Sequence, residues 1–339
     1  MRLQGRIKVG EKTKDLVNFL HPGDIAVIRH ADIDELAALA LAYTGAKGII
    51  NTGESMTGRF PSIGASILLQ NNMRLIDVRM PLERFKDNDM ITVLDEDIIV
   101  RNYIFKNVCT VVNWDYINKR QFASKDNESN EILKFIDNTI NHAASEMDKL
   151  VRFTEYPELN IRLKDRHVVV VVRNSSTIDE INALKSYIEK YNPIFIGVDG
   201  GADMIVSCGY MPDILIGDMD SVSDIGIYKS KEIILHAYED GYCPCLSRIA
   251  AMNLPYKMLA MRGTSEDAAL MMAYNKNAEL IVLTGGHSCM HDFACKGRSG
   301  MASTFIVRTL IGSKLVDCKG LDIIADSESE RKDPRWAKM

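Results

Sequence analysis

The pattern of apolar and polar positions divides the chain into two strand-and-helix series joined by one long amphipathic stretch. In the first series, Pro22-Gly23 turns into a strand over 24–28, and Asp32 caps a helix over 33–43 that ends at Gly45. A second strand over 47–51, a second helix over 62–71 and a third strand over 74–78 follow. Between Asp89 and Tyr103 the period falls to two, which predicts a hairpin turning at Asp95-Glu96-Asp97. From 121 to 130 the chain is polar. Ile132, Phe135, Ile136, Ile140, Ala143, Met147 and Leu150 then repeat at helical spacing and predict a linker helix, with His142 on its surface. Its apolar stripe reads as a seam against neighbouring domains or as a contact between copies in a homo-oligomer.

The second series opens with five valines, 168–172, the strongest buried-strand signal in the chain. A helix over 178–190, a strand over 194–198, a helix ended by Pro212 and a strand over 214–216 come next. Further strands are expected near 232–236, 256–261 and 280–283, with helices near 246–252, 268–275 and 301–310. The fold class is therefore α/β. An N-terminal α/β domain with a hairpin (1–120) and a helical linker (121–165) precede a Rossmann-like parallel α/β domain (166–325) and a polar tail (326–339).

Composition narrows the function classes. A chain of 339 residues, 46% hydrophobic and 26% charged, is ordinary for a globular protein with a sizeable core. The net charge of −5 gives no general attraction to nucleic acid or anionic lipid. Seven cysteines, an odd number, favour reduced cytoplasmic thiols over a disulfide framework. No apolar run approaches a membrane span, and the first sixteen residues hold no signal-like region.

The candidate chemistry sits at the ends of the second-series strands. The strand over 194–198 stops at Asp199-Gly200-Gly201-Ala202 and a helix follows at once, so backbone N–H groups and a positive dipole end can face an anion such as phosphate. Pro212-Asp213 opens the next strand, which delivers Gly217-Asp218-Met219-Asp220-Ser221. In an extended segment Asp218 and Asp220 point the same way and form an oxygen-rich Mg²⁺ site. Thr264 with Asp267 three residues on has the form of a capping box. Lys296 and Arg298, on a glycine-flanked loop, can clamp phosphate oxygens or can simply be solvated.

Other groupings are less specific. The loop 53–60 nearly matches a phosphate loop, but Arg59 replaces the lysine and Phe60 the metal-binding hydroxyl. It reads as a polar strand-to-helix loop, with Asn51, Ser55, Thr57 and Arg59 as the residues that could hold an anion. His287 and His291, beside Cys289, Asp292 and Cys295, suggest zinc, but Gly285-Gly286 argues against the helix that spacing requires. Cys243-Pro244-Cys245 lacks the spacing of a redox C-x-x-C motif.

The ordered set Asp199-Gly200-Gly201-Ala202-Asp203, a helix, then Pro212-Asp213 and Gly217-Asp218-Met219-Asp220-Ser221 resembles the nucleotide-binding half of the thiamin pyrophosphokinase family. The resemblance implies a parallel α/β sheet and transfer of pyrophosphate from Mg·ATP to an alcohol. It implies that Asp267, at a Thr264 helix start, adds a carboxylate to the metal site while also capping the helix. The family's lysine-containing run before that helix is absent, and Arg262 is the nearest cation. No series of alternating strands follows Asp267 to build the family's thiamin-binding β-sandwich, so thiamin is not the expected acceptor.

A second resemblance covers nearly the whole chain. Segments 23–34, 55–64, 217–224, 236–241, 263–274 and 296–304, in that order, look like the SteA-type cytokinetic-ring proteins, which carry a pyrophosphokinase-like domain behind an N-terminal domain. Members of that group often continue into a C-terminal membrane segment, whereas this chain reads as polar over 326–339, so any membrane association is expected through a partner.

Two function classes follow. In the first, the protein is a pyrophosphokinase-type transferase. Asp199, Asp218, Asp220 and Asp267 hold Mg²⁺ across the phosphates of ATP or another nucleotide, and Asp213 orients an acceptor hydroxyl. Gly200, Gly201, Ala202, Ser221, Thr264, Ser265, Lys296 and Arg298 contact the nucleotide. In the second, the same site binds a nucleotide without transfer and sets the conformation of a division-related scaffold with a protein partner.

Overall fold

The structure, a computed structural model, describes residues 2–152, 154–294 and 297–325. The chain folds into two units. One runs to Ile136 and takes in the described residues of 289–299; the other comprises 137–288 and the described residues from 300 on. The expected polar tail, 326–339, lies outside the described residues.

In the first unit eight strands form one mixed sheet. β1 (Arg2–Gly10), β2 (Ile25–Ile28), β3 (Gly48–Asn51) and β4 (Leu75–Val78) are parallel neighbours. On one side β1 pairs antiparallel with β5 (Met90–Leu94), followed by β6 (Asp97–Val100) and β7 (Tyr103–Phe105); on the other β4 pairs antiparallel with β8 (Cys109–Val112). The expected hairpin is β5–β6, turning through Asp95 at φ 53°. β1 is not visible as an apolar run, because only Leu3 and Ile7 of its side chains are fully buried. Asp34, not Asp32, caps the helix Glu35–Tyr43: its carboxylate accepts from the Ala37 N–H at 2.8 Å. Asp32 sits at φ 51° and instead accepts from the N–H and hydroxyl of Thr57, both at 2.7 Å.

The linker helix, Trp114–Arg152, begins well before its apolar stripe and includes the polar segment at 121–130. The stripe divides by burial. Phe135, Ala143 and Leu150 are buried, whereas Ile136, Ile140 and Met147 are about half exposed.

The second unit holds seven strands: β9 (His167–Val172), β10 (Ile194–Val198), β11 (Ile214–Gly217), β12 (Glu232–Ala237), β13 (Lys257–Ala260), β14 (Leu280–Thr284) and β15 (Leu315–Asp317). They are all parallel, in the order β13-β12-β11-β10-β9-β14-β15. The chain steps outward from β9 to β13, then returns through the helix Ser265–Asn275 to β14 on the other side of β9. That helix covers the middle of the sheet, and its residues 268–273 are buried. In a parallel sheet all strand C-termini open on one edge, where ligands bind in folds of this class. Asp199, Gly217, Ala237 and Thr284 end or follow strands on that edge, with His236 just inside it.

Candidate functional site

β10 leaves the sheet through Asp199, whose φ of 46° turns the backbone sharply. Its carboxylate accepts from the Met219 N–H at 2.9 Å and is hydrogen-bonded by Ser265, which ties the end of β10 to the turn after β11 and to the start of the helix Ser265–Asn275. Gly217 makes the approach possible, since a Cβ there would lie 1.8 Å from Asp199 Oδ1. Burial and the neighbouring Asp218 and Asp220 charges push the Asp199 carboxyl up to about 7.

The segment after β11 is not extended. Met219 adopts φ 58°, and the Asp220 N–H donates back to Asp218 Oδ1 at 3.1 Å. Strand alternation therefore does not align Asp218 and Asp220. A left-handed turn places both on the acidic edge, where their charges act on Asp199. Met219 is buried beneath the turn, which fixes it to the core.

Asp267 is fully buried. The capping box is complete: Asp267 Oδ2 accepts from the Thr264 N–H, and Thr264 Oγ1 accepts from the Asp267 N–H, both at 3.0 Å. Oδ2 also accepts from Ser303 at 2.7 Å and Thr304 at 3.1 Å. Oδ1 has no hydrogen-bond partner. Burial raises this carboxyl, and the Glu266 charge adds to the rise.

The glycines serve packing rather than ligand access. A Cβ on Gly201 would stand 1.9 Å from the Val171 carbonyl oxygen, and one on Gly197 2.7 Å from the Ala202 backbone. Ala202 is a fully buried core residue. The Gly200 N–H points to Ser221 Oγ at 3.3 Å.

Two residues unremarked in the sequence join the site. Arg173 follows β9 directly, donates to the Ser221 carbonyl at 3.3 Å and would meet a Cβ on Gly200. His236, in β12, donates from Nε2 to the Met261 carbonyl at 2.9 Å, and its Nδ1 lies 3.2 Å from Ser265 Oγ. Burial lowers the His236 imidazole, against the raising charges of Asp218 and Asp267. The signal for both is a polar side chain at the C-terminal end of a buried strand, next to last for His236 and directly after it for Arg173.

Other expected residues lie apart. Asp213 precedes β11, at the opposite end of that strand from Asp218. Its oxygens accept from the Phe195 N–H at 2.9 Å and from Lys231 at 2.7 Å, so it locks strand starts together and is not placed to orient an acceptor. Lys296 lies outside the described residues. Arg298 belongs to the first unit, is exposed, and donates its N–H to the Phe293 carbonyl at 3.0 Å. His287 bonds Glu266 Oε2 through Nδ1 at 3.0 Å, and His291 packs edge-on to Phe60 within the first unit.

The loop 53–60 is held by bonds within the first unit. Asn51 accepts from the N–H groups of His30 and Gly53 and donates to Ser55; Ser55 donates to the buried Asp77; Arg59 faces Glu131 at 3.6 Å. These contacts are those of a strand-to-helix loop.

Among the described residues, no three or more His, Cys, Asp or Glu side chains form a ready-made metal cage. Magnesium commonly uses only one or two carboxylates and completes its shell with phosphate and water. The donor set fits such an ion in two respects: Asp267 Oδ1 is a buried oxygen with no bond, and the charge crowding at Asp199 is what a divalent cation relieves. No helix among the described residues is long and apolar enough to cross a membrane.

No family model matches the chain, and no curated protein does. Among solved structures it is similar to the thiamine pyrophosphokinase from Bacillus subtilis, at 21% identity and a TM-score of 0.26, over 39% of this chain and 52% of that one. It is also similar to the thiamin pyrophosphokinase from Candida albicans, at 14% identity and a TM-score of 0.26, over 48% of this chain and 63% of that one. The chain thus spans less than two thirds of the length of either enzyme.

Proposed function

We propose that the second unit binds the phosphates of a nucleotide such as ATP through Mg²⁺ and transfers pyrophosphate to a hydroxyl acceptor other than thiamin. What supports this reading is that the charges of Asp218 and Asp220 act on Asp199 at the end of β10, and that Asp267, near the start of the helix Ser265–Asn275, keeps a buried oxygen without a bond. Asp218 and Asp220 would be the direct metal ligands, with Asp199 and Asp267 beside them. Bound magnesium would neutralise phosphate charge. Arg173 takes the phosphate-facing role expected of Lys296 and Arg298, since it lies against Gly200 and Ser221.

In the transfer, the acceptor hydroxyl oxygen forms a bond to the β-phosphorus. The bond from that phosphorus to the α,β-bridging oxygen breaks, AMP leaves with the electron pair, and the hydroxyl proton passes to solvent. Arg173 orients the phosphates for this displacement, Ser265 holds Asp199 in place, and His236 positions Ser265. A nucleotide-responsive scaffold, with a partner in cell division, uses the same binding site without the transfer.

Equilibrium binding of ATP, with and without Mg²⁺, to the intact protein and to Asp220→Asn tests the site, and assay of AMP in the same samples tests the chemistry. Mg²⁺-dependent binding that falls at least tenfold in Asp220→Asn is expected. AMP formation selects the transferase, and binding without AMP selects the scaffold. Failure of the intact protein to bind any nucleotide tested would remove both.

A further inference from the structure

The loop between β12 and the helix Leu246–Ala251 carries two aromatic side chains that the proposed phosphate site does not use. Tyr238 and Tyr242 are 62% and 63% exposed, and their rings lie nearly parallel, at 10°, with centroids 6.0 Å apart. A single exposed tyrosine needs no explanation, but this pair is held in place. The Tyr238 N–H donates to the Tyr242 carbonyl at 2.9 Å, the Gly241 N–H to the Tyr238 carbonyl at 2.8 Å, and the Tyr242 N–H to Asp240 Oδ1 at 2.9 Å. Gly241 supplies the left-handed φ of 82° that closes the turn. In the same loop Cys243 and Cys245 are buried with their sulfurs 3.2 Å apart, and Glu239 pairs with Arg262.

The loop stands beside the acidic edge. Leu235 is the register partner of Gly217, so Asp218 leaves β11 beside His236, the next-to-last residue of β12, and Tyr238 follows the end of β12 directly. Neighbouring strands are roughly 4.8 Å apart. Asp218 is close enough for its charge to act on both the His236 imidazole and the Cys245 thiol. A nucleotide whose phosphates lie at Asp218 and Asp220 carries its base one ribose further on, which reaches the neighbouring strand end.

We infer that the Tyr238–Tyr242 pair is the platform on which the nucleobase stacks, a subsite that rests on the nucleotide-binding reading above. The rings are large, have only two side-chain torsions each and already lie on one another over a hydrogen-bonded turn, so stacking a planar base costs little conformational freedom. Stacking tolerates any base, since each has a π-face, so the subsite supplies affinity for nucleotides over inorganic polyphosphate rather than a choice among bases.

The test compares Mg·ATP with Mg·tripolyphosphate, which has the phosphates and no base, on the intact protein, Tyr238→Ala/Tyr242→Ala and Tyr238→Phe/Tyr242→Phe. The alanine pair is expected to bind ATP roughly tenfold to hundredfold more weakly, with tripolyphosphate unchanged, and the phenylalanine pair to restore ATP binding. Unchanged ATP affinity in the alanine pair overturns the inference while leaving the phosphate site standing. So does an equal loss for ATP and tripolyphosphate, which would make the loop a structural support. If the intact protein binds neither probe, the underlying nucleotide reading fails, and the base platform fails with it.

Discussion

Each unit sets an aspartate at the C-terminal end of a parallel strand, Asp77 in β4 and Asp199 after β10, and the two are finished in opposite ways. In the first, Asp77 in β4 accepts from the N–H and hydroxyl of Ser55 and faces the Tyr116 hydroxyl, while Asn51 and Asp32 bind the rest of the loop. Each acceptor is matched to a donor of the same unit. In the second, Asp199 is crowded by two further carboxylates, and Asp267 keeps a buried oxygen without a bond. A buried polar group left without a partner costs about 1–3 kcal/mol, a cost that a bound cation would offset at Asp267. Strand-end aspartates alone thus distinguish nothing; what separates the two is whether the protein itself consumes their bonding capacity.

Glycine substitutions should separate the units most strongly. Gly201→Ala puts a Cβ 1.9 Å from the Val171 carbonyl, backbone against backbone, and should destabilise the second unit by about 3 kcal/mol or more. Gly53→Ala brings a Cβ 3.0 Å from the His30 backbone and should cost about 1–2 kcal/mol. Denaturant unfolding measures both, and equal losses would mean that the β10 turn is looser than its packing implies.

The titrations come next. Burial raises Asp77 to about 6 and Asp199 to about 7. In each case the folded state keeps a proton that the unfolded chain has already lost, so stability falls as pH rises from about 4 through the folded value and then levels. The drop should be up to about 3 kcal/mol for Asp77 and somewhat more for Asp199, ending near pH 6 and near pH 7 respectively. Asp77→Asn and Asp199→Asn should each remove only their own part of the slope. Mg²⁺ with ATP should flatten the part owned by Asp199 alone, and flattening of both would erase the contrast between the units.

Much of this was legible in the chain, for local reasons. The valine run can only be a strand buried on both faces, the alternation over 89–103 can only be a hairpin, and Thr264 and Asp267 carry a cap in their spacing. What escaped depends on distant partners. β1 shows little apolar pattern because its place is set by pairing with β2 and β5. The polar segment 121–130 is helical within a 39-residue helix although its own pattern predicts none. The turn at Met219 follows from the approach of Asp199, and the site roles of Arg173 and His236 follow from which strands become neighbours. Gly201 was legible as a glycine, but its purpose, contact with Val171, was not.

Ser55→Ala sharpens the comparison on the first unit's side. It removes the hydroxyl shared by Asp77 and Asn51 while keeping the backbone N–H bond, and should cost about 1–3 kcal/mol in thermal unfolding with no change in Mg·ATP binding. A loss of nucleotide binding in this variant would mean that the first unit's cluster is not closed on itself.

The smallest effect is expected at Arg59, the residue that made the 53–60 loop look like a phosphate loop. Its side chain is 70% exposed and its partner, Glu131, 3.6 Å away, is bonded more closely by Lys134 at 2.7 Å. Exposed pairs of this kind contribute about 0–1 kcal/mol, and here the second cation keeps Glu131 neutralised when the first is gone. Arg59→Ala should therefore shift stability by less than about 0.5 kcal/mol and leave ATP affinity as it was. A tenfold loss of affinity would instead give this loop a ligand of its own, because no bond that holds the loop together passes through the Arg59 side chain: its backbone N–H, on Thr57 Oγ1 at 3.2 Å, is untouched by the substitution.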